Sequence, residues 1–204
     1  MILSICIPSV IGRESQFSDL CDEINIQVER IGAHDSVELI TDVDNKQVSI
    51  GAKRNRMYQR CTGTYAVQID DDDWIDSDYI KKVLKACKTG ADCIGYLEHC
   101  VMDGVEKYSS FSLKYRQWHE FKGNPDANGI TYYRTPFTKT PIKTGICKRV
   151  GVKDKRFAED HDFAKRVYRH LKTEEFINEV MYYYTANTLT RREHNERYGI
   201  GNRA

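Results

Sequence analysis

The sequence has almost no net charge, no long apolar run and no CxxC pair. Its 204 residues carry 31 Lys and Arg against 30 Asp and Glu, a net charge of +1. This balance excludes the overall basic field typical of nucleic-acid-binding proteins, although a local basic strip stays possible. No stretch reaches the roughly 18 apolar residues that a membrane-spanning helix needs. The opening "MILSICIPSV" turns polar too early for a signal peptide, so we expect no transmembrane segment and no leader.

The seven cysteines do not form a pattern typical of disulfides or of zinc ligands. Their number is odd, and Cys6 and Cys61 lie in apolar strand or helix contexts, which predicts reduced, buried thiols and a cytoplasmic location. Cys93, His99 and Cys100 lie close together in the sequence, but no second pair completes a zinc site.

The first half of the chain alternates between strand and helix patterns. Apolar, strand-like runs occur at 2–7, 37–41, 65–69 and 91–97. Amphipathic helical patterns separate them. This alternation predicts an α/β fold, in one domain, with a mostly parallel central sheet flanked by helices. Residues 98–145 are rich in Tyr, Thr, Lys, Gly and Pro and predict a more irregular region.

Three polar segments follow predicted strands: Pro8–Ser9, Asp42–Asp44 and Asp70–Asp73. Ligands of open α/β sheets bind at the carboxyl ends of the strands, so these segments predict a site. The last contains four consecutive aspartates, which repel one another by roughly 1 kcal/mol per close pair even in water. Either this run is a solvated turn that caps the next helix, or positive groups lie against it.

Three segments together resemble one enzyme family. They are a strand followed by "PS", the stretch "GAKRNRMYQRCTGTYAVQIDDDDW", and "FAEDHDFAKRV". In combination they resemble the nucleotide-sugar-dependent glycosyltransferases of the GT-A fold, and are similar to glycosyltransferase family 2. The resemblance covers residues 2–90 well and 140–190 moderately.

The resemblance implies a single Rossmann-like GT-A domain over residues 1–204. Within it, residues 1–97 would form the nucleotide-sugar-binding half and residues 98–190 the acceptor-binding half. Residues 191–204 would form a flexible tail. The implied activity is transfer of a sugar, with inversion, from a nucleotide-diphosphate donor to an acceptor hydroxyl.

The resemblance also implies a D-x-D metal site for Mn²⁺ or Mg²⁺. Asp70 and Asp72 fit this motif, Asp73 fits a frequent third acid, and Asp71 with Asp73 gives a second possible register. His194 is a further candidate ligand, because some GT-A enzymes use a late histidine. A hard divalent cation would bridge these oxygens to the donor diphosphate and stabilise the leaving group.

The family's donor-binding positions can be matched one by one. Pro8 and Ser9 would approach the base and ribose, Arg13 the phosphate, and Asp42 or Asp44 the base edge. The other implied donor-binding residues are Gly51, Arg54, Asn55, Asp70 and Asp71. UDP is the most frequent donor nucleotide in the family, while GDP and dTDP stay open.

The pair Glu159–Asp160 would supply the base that deprotonates the acceptor, with Asp160 as first choice and Glu159 as second. Inversion needs a base on the face of the sugar opposite the leaving group. A position at a helix start would keep such a carboxylate ionised.

Aromatic and basic residues interleave in the region 98–145 and suit a glycan acceptor, most simply a polysaccharide precursor. A hydroxymethylated DNA base is an alternative acceptor, because the same residue types bind flipped or single-stranded bases. From another class, a two-metal nuclease could use Asp70–Asp73 with Glu159–Asp160. Trp74 could wall the sugar pocket or fill the core. The oligomeric state stays unassigned.

Overall fold

A computed structural model describes residues 1–121 and 125–186. Within these ranges there are five α-helices: α1 (Glu14–Arg30), α2 (Ile50–Arg60), α3 (Tyr79–Cys87), α4 (Thr144–Val150) and α5 (Glu159–Val167). The strands are β1 (Leu3–Val10), β2 (Val37–Asp44), β3 (Tyr65–Gln68), β4 (Trp74–Ile75), β5 (Cys93–Met102), β6 (Val105–Phe111), β7 (His119–Glu120), β8 (Tyr132–Arg134), β9 (Ile142–Lys143) and β10 (Glu174–Ala186).

All described strands belong to one mixed sheet. Its order is β2-β1-β3-β9-β5-β6-β8-β7, and β10 pairs with both β5 and β4. The pairings give β1, β2, β3, β5, β7 and β10 the same direction, while the other four strands run against them. The predicted α/β fold with a mostly parallel sheet is confirmed.

The register of the first strands brings the predicted polar segments together. Pro8 of β1 lies opposite Asp42 of β2, and Val10 lies opposite Asp44. Val10 and Asp44 are the last residues of their strands, and all four residues belong to the strands and not to the loops beyond, because they still pair in the ladder. They nevertheless lie at the carboxyl ends, as the sequence predicts.

Helices cover both faces of the sheet. Successive side chains of β1 point to opposite faces, so Ile5 and Ile7 pack into a core with α1 and α3. Cys6 packs into a second core with Met57 of α2 and Phe163 of α5. The two layers place α2 and α5 on one face, where their ends border the carboxyl edge of β1 and β3.

The second half is more regular than its composition predicts in two places. Strands β5 and β6 form a hairpin whose turn residues, Asp103 and Gly104, both have positive φ, as in the type I′ turn that is common in two-residue hairpin loops. The segments "EFINEV" and "MYYYTA" form a single strand, β10, with register shifts between Ile177 and Tyr182. The predicted tail 191–204, with His194, lies outside the described residues.

The seven cysteines are all free thiols, and Cys6 and Cys61 are buried, as predicted. Their sulfur atoms lie 3.4 Å apart. In the part of the chain that the structure describes, no helix combines the length and the apolar character needed to cross a bilayer.

We predict that Leu20→Ala lowers the free energy of unfolding by about 2–5 kcal/mol, because it leaves a cavity under α1. Leu20 is completely buried in the core, whereas Ile26 on the same helix is 55% exposed. Urea unfolding of both variants checks this, with Ile26→Ala expected within about 0.5 kcal/mol of the wild type. Equal costs for the two variants would contradict the assigned face of α1.

Candidate active site

A cleft of about 710 Å³ opens at the carboxyl ends of β1, β2 and β3. One wall is the acidic loop, residues 70–73, and another is the start of α5. Most of the residues singled out in the sequence line this cleft: Pro8, Ser9, Arg13, Asp44, Arg54, Asp70, Asp71, Asp72, Glu159 and Asp160.

Asp71 and Asp72 share one arginine. Asp71 accepts hydrogen bonds from Ser9 Oγ at 2.6 Å and from Arg13 Nη1 at 2.7 Å. The same Arg13 nitrogen lies 3.0 Å from Asp72 Oδ2. Burial, with repulsion from Asp70, raises the pKa of Asp72 despite Arg13. Asp72 is thus the acid in the loop with the least compensated charge on the cleft side.

Asp73 turns away from the cleft into the protein. Its Oδ2 accepts hydrogen bonds from Lys139 Nζ at 2.7 Å and from Tyr182 OH at 2.5 Å. The Tyr182 oxygen also accepts the backbone N–H of Asp70 at 3.2 Å. Lys139 lies 4.3 Å from the ring centre of Tyr184, which lines the cleft. This buried network holds the acidic loop from below.

Arg54 joins the two acidic walls of the cleft. Its guanidinium donates to Asp70 Oδ1 at 2.7 Å, to Glu159 Oε1 at 3.2 Å and to Gln68 Oε1 at 3.0 Å. Burial alone would lower the pKa of Arg54, but the charges of Asp70 and Glu159 raise it instead. Burial would raise the pKa of Asp70, and Arg54 with Lys139 lowers it. Arg54 therefore carries a charge that both carboxylates need.

The two acids at the start of α5 have different surroundings. Glu159 is buried against Arg54, and burial raises its pKa against the effect of that arginine. Asp160 lines the cleft, and its Oδ1 accepts the backbone N–H of His161 at 2.7 Å. The His161 ring lies 4.7 Å from the ring of Trp118, which also borders the cleft. Asp160 is the better placed of the two to reach a bound molecule.

A buried lysine joins the ends of β1 and β2. Lys53 Nζ donates to the Ser9 carbonyl at 2.6 Å and to Asp44 Oδ1 at 2.5 Å. The other Asp44 oxygen accepts the backbone N–H of Val48 at 3.1 Å. Burial would raise the pKa of Asp44, but Lys53 and these backbone groups lower it.

Of the singled-out residues within the described ranges, four do not line the cleft, and for three of them the structure shows local roles. Asp42 forms a bidentate salt bridge with Arg56: Arg56 Nε lies 2.7 Å from Asp42 Oδ2, and Arg56 Nη2 lies 2.8 Å from Asp42 Oδ1. Asn55 Oδ1 accepts the backbone N–H of Val152 at 3.1 Å. A Cβ on Gly51 would lie 1.9 Å from the Lys153 carbonyl oxygen. Asn55 and Gly51 thus hold the segment 151–158, whose end borders the cleft. Asp73, the fourth, points into the protein and pairs with Lys139.

The acidic loop fits a hard divalent cation in its chemistry. Asp70 and Asp72 both face the cleft, and 44% of the Asp72 side chain is exposed. Carboxylate oxygens are preferred ligands of Mg²⁺ and Mn²⁺, and such ions take their remaining ligands from substrate phosphates and water. The described residues contain no group of three or more His, Cys, Asp or Glu side chains placed to hold a metal alone.

Sequence reasoning missed several residues of the site. Lys53 stands next to Arg54 in "GAKRNR", and nothing in this basic stretch distinguishes the buried Lys53 from the exposed Arg56. Tyr182 was also missed, because only the pairing of β10 with β4 and β5 brings it under the acidic loop. Trp118 and Lys139 belong to the interleaved aromatic and basic residues of 98–145 that were expected to meet the acceptor, and the structure shows Lys139 paired with Asp73.

Comparison with solved structures identifies the fold. The chain superposes on the crystal structure of S. aureus TarS residues 1–349 in complex with UDP with a TM-score of 0.62 and 16% identity, covering 95% of this chain and 63% of that one. For the complex of the same fragment with UDP-GlcNAc, the TM-score is 0.61, the identity 13%, and the coverage 91% and 59%. This is a GT-A fold. The structural resemblance predicted from the sequence is confirmed.

The GT-A chain described here is shorter than these neighbours. It covers 37% of a longer TarS structure, at 13% identity and a TM-score of 0.61. No family model matches the sequence, and no curated protein matches it.

We predict that Arg54→Ala lowers the free energy of unfolding by about 3–5 kcal/mol, because it leaves the buried Glu159 and the partly exposed Asp70 without their shared partner. Arg56, two positions along α2, is a matched control: half of its side chain is exposed, and it pairs with Asp42 at the surface. Arg56→Ala should cost about 0–1 kcal/mol. Urea unfolding at neutral pH checks both values, and similar losses for the two variants would refute the buried bridge.

Proposed function

We propose that this protein is an inverting glycosyltransferase that moves a sugar from a nucleotide-diphosphate donor, most simply a UDP-sugar, to an acceptor hydroxyl. One observation carries the proposal: a single cleft at the carboxyl ends of β1–β3 contains both the acidic loop and Asp160. The first can hold a donor diphosphate, and the second can take a proton from an acceptor. The GT-A fold agrees with this division.

The nucleotide would occupy the side of the cleft formed by β1 and β2. Pro8 and Ser9 end β1 there, and Lys53 fixes Asp44 at the end of β2. UDP is our first choice of nucleotide, because the structural neighbour has been crystallised with UDP and with UDP-GlcNAc. Arg13 borders the same space and would give the phosphates a forked donor.

Mn²⁺ or Mg²⁺ would be held by Asp72 and Asp70, together with diphosphate oxygens. When bound, such an ion neutralises charge that develops on the departing nucleoside diphosphate. The protein's own part is to present the two carboxylates at a fixed spacing. Arg54 orients Asp70, and Arg13 orients Asp72.

Asp160 would act as the general base. The acceptor oxygen forms a bond to the anomeric carbon, the bond from that carbon to the phosphate oxygen breaks, and the acceptor proton passes to Asp160. Glu159 cannot do this while it pairs with Arg54 in the interior, so its role would be to position the helix start.

The acceptor proposed here is a glycan, with a hydroxymethylated DNA base as the alternative. The acceptor side of the cleft presents Trp118 and His161, whose adjacent, tilted rings offer apolar surface for the C–H face of a sugar. A two-metal nuclease is less consistent with the site, because the Arg54 guanidinium lies between Asp70 and Glu159, where such an enzyme needs cations.

Titration of nucleotides into the purified protein tests the donor site. We expect UDP to bind more tightly than GDP or dTDP, to require Mn²⁺, and to lose at least about tenfold in affinity in Asp72→Ala. Asp78→Ala is the matched control: its side chain is 43% exposed, against 44% for Asp72, and it also pairs with an arginine. Absence of binding by all three nucleotides, with Mn²⁺ present, would refute the transferase proposal.

Asp160→Asn tests the base separately from the donor site. We expect the affinity for UDP to stay within about twofold of the wild type. The rate of UDP release from a UDP-sugar should fall about 10²- to 10⁴-fold, measured with water or an added saccharide as acceptor. Glu159→Gln should instead lower the free energy of unfolding, because Arg54 loses one of its two negatively charged partners. An Asp160→Asn protein with wild-type turnover would exclude this residue as the base.

A further inference from the structure

Four aromatic side chains lie in one row across four neighbouring strands. Tyr183 of β10 lies beside Trp74 of β4 on one side and beside His99 of β5 on the other. Tyr108 of β6 lies beside His99 and continues the row. The centre of the His99 ring lies 6.0 Å from the centre of the Tyr183 ring and 5.1 Å from the centre of the Tyr108 ring. Since neighbouring strands are about 4.8 Å apart, this aromatic row extends about 14 Å across the sheet.

Three of the four side chains in the aromatic row are open to solvent, and the His99 side chain between Tyr183 and Tyr108 is 20% exposed. Trp74 is 41% exposed, and Tyr183 and Tyr108 are each 36% exposed. Single exposed rings are common on protein surfaces, but adjacent rings in one line form a continuous surface that is typical of an interaction site. Tyr and Trp are also the side chains that provide rigid contact area together with a polar edge.

The row lies on the sheet face opposite the core that supports the acidic loop. On β10, Tyr182 points to that loop, so the next residue, Tyr183, points to the other face. On β4, Ile75 is buried and Trp74 is exposed. Trp74 therefore neither fills the core nor lines the donor cleft, the two roles left open by the sequence.

A second cleft, of about 600 Å³, adjoins the row at Tyr108. Leu97 and Val180, which pair across β5 and β10, also line it. Polar side chains complete the lining: Glu106, Lys107, Glu120 and Asn128. Row and cleft together form a long surface with aromatic and apolar patches between polar groups.

This chemistry favours a neutral carbohydrate. A sugar ring has an apolar C–H face, which packs on an aromatic ring, and hydroxyl groups at its edge, which pair with indole, phenol or imidazole polar atoms. Glu106 Oε2 lies 3.8 Å from His99 Nε2 and places a carboxylate at the row. A negative charge there repels a phosphate backbone. Nucleic-acid-binding sites instead attract the backbone with Lys and Arg side chains.

We propose that the aromatic row is a second binding site, for a neutral carbohydrate chain, distinct from the donor cleft. Trp74 follows Asp72 by two residues, a distance of at most about 7 Å along the chain. One polymer can therefore lie on the row while its end enters the donor cleft. Taking this polymer as the acceptor rests on the proposed function. Two linked contacts then raise the affinity for long chains over short ones.

Carbohydrate binding by the aromatic row can be tested by probing an oligosaccharide array with the whole protein. The array carries neutral and anionic chains of several lengths. We expect the wild-type protein to bind neutral chains. We expect Trp74→Ala and Tyr108→Ala each to bind them at least about tenfold more weakly than the wild type does. Ile26→Ala, an exposed apolar residue on α1, is the matched control and should bind as the wild type does. UDP titration of Tyr108→Ala should match the wild type, because Tyr108 lies away from the donor cleft.

Failure of the row and failure of the donor site give different results. Retention of no array saccharide, or equal retention by the wild type and both row variants, overturns the second site. Stronger binding of a (dT)₁₂ oligonucleotide that is lost in the row variants overturns it in favour of nucleic acid. Row-dependent saccharide binding by a protein that binds no nucleotide supports the row and contradicts only the donor proposal.

Discussion

The guanidinium of Arg54 is the interaction on which the cleft depends. It lies between Asp70 at the end of β3 and Glu159 at the start of α5, and it also bonds Gln68. Without it, the buried Glu159 and the partly exposed Asp70, from distant parts of the chain, would repel each other. Because one planar group satisfies both, the β3 edge and the α5 start are held at a set separation, and Asp160, next to Glu159, takes its place in the cleft as a consequence.

The four consecutive aspartates are tolerated because every one of them lies beside a positively charged side chain, although Asp71 and Asp72 share the same one. Arg54 serves Asp70, Arg13 serves Asp71 and Asp72, and Lys139 serves Asp73. These Arg and Lys side chains come from separate parts of the chain, so they hold the acidic loop in place only once the protein has folded. Asp72 shares its arginine with a neighbour and is half exposed, which leaves it with negative charge for a cation or ligand to neutralise.

The sequence predicted the strand–helix alternation and the edge at which the site lies, because both depend on local apolar periods and on a general rule for parallel sheets. It could not predict how Arg54 is used. The family resemblance implied only that Arg54 contacts the donor, and the structure adds Asp70 and Glu159 as its partners, 16 and 105 residues away. Asn55 likewise bonds a backbone N–H 97 residues away. Such pairings depend on tertiary packing, which no local pattern contains.

Strand β10 shows how one segment can serve two faces. Because side chains alternate along a strand, Tyr182 reaches Asp73 and the Asp70 backbone beneath the cleft, while Tyr183 joins the exposed row. The short strand β4 has the same division, with Ile75 inside and Trp74 outside. A shift of one residue in the pairing of β10 would exchange these sets and bury the wrong rings. The support of the acidic loop and the exposure of the aromatic row are therefore fixed by the same register.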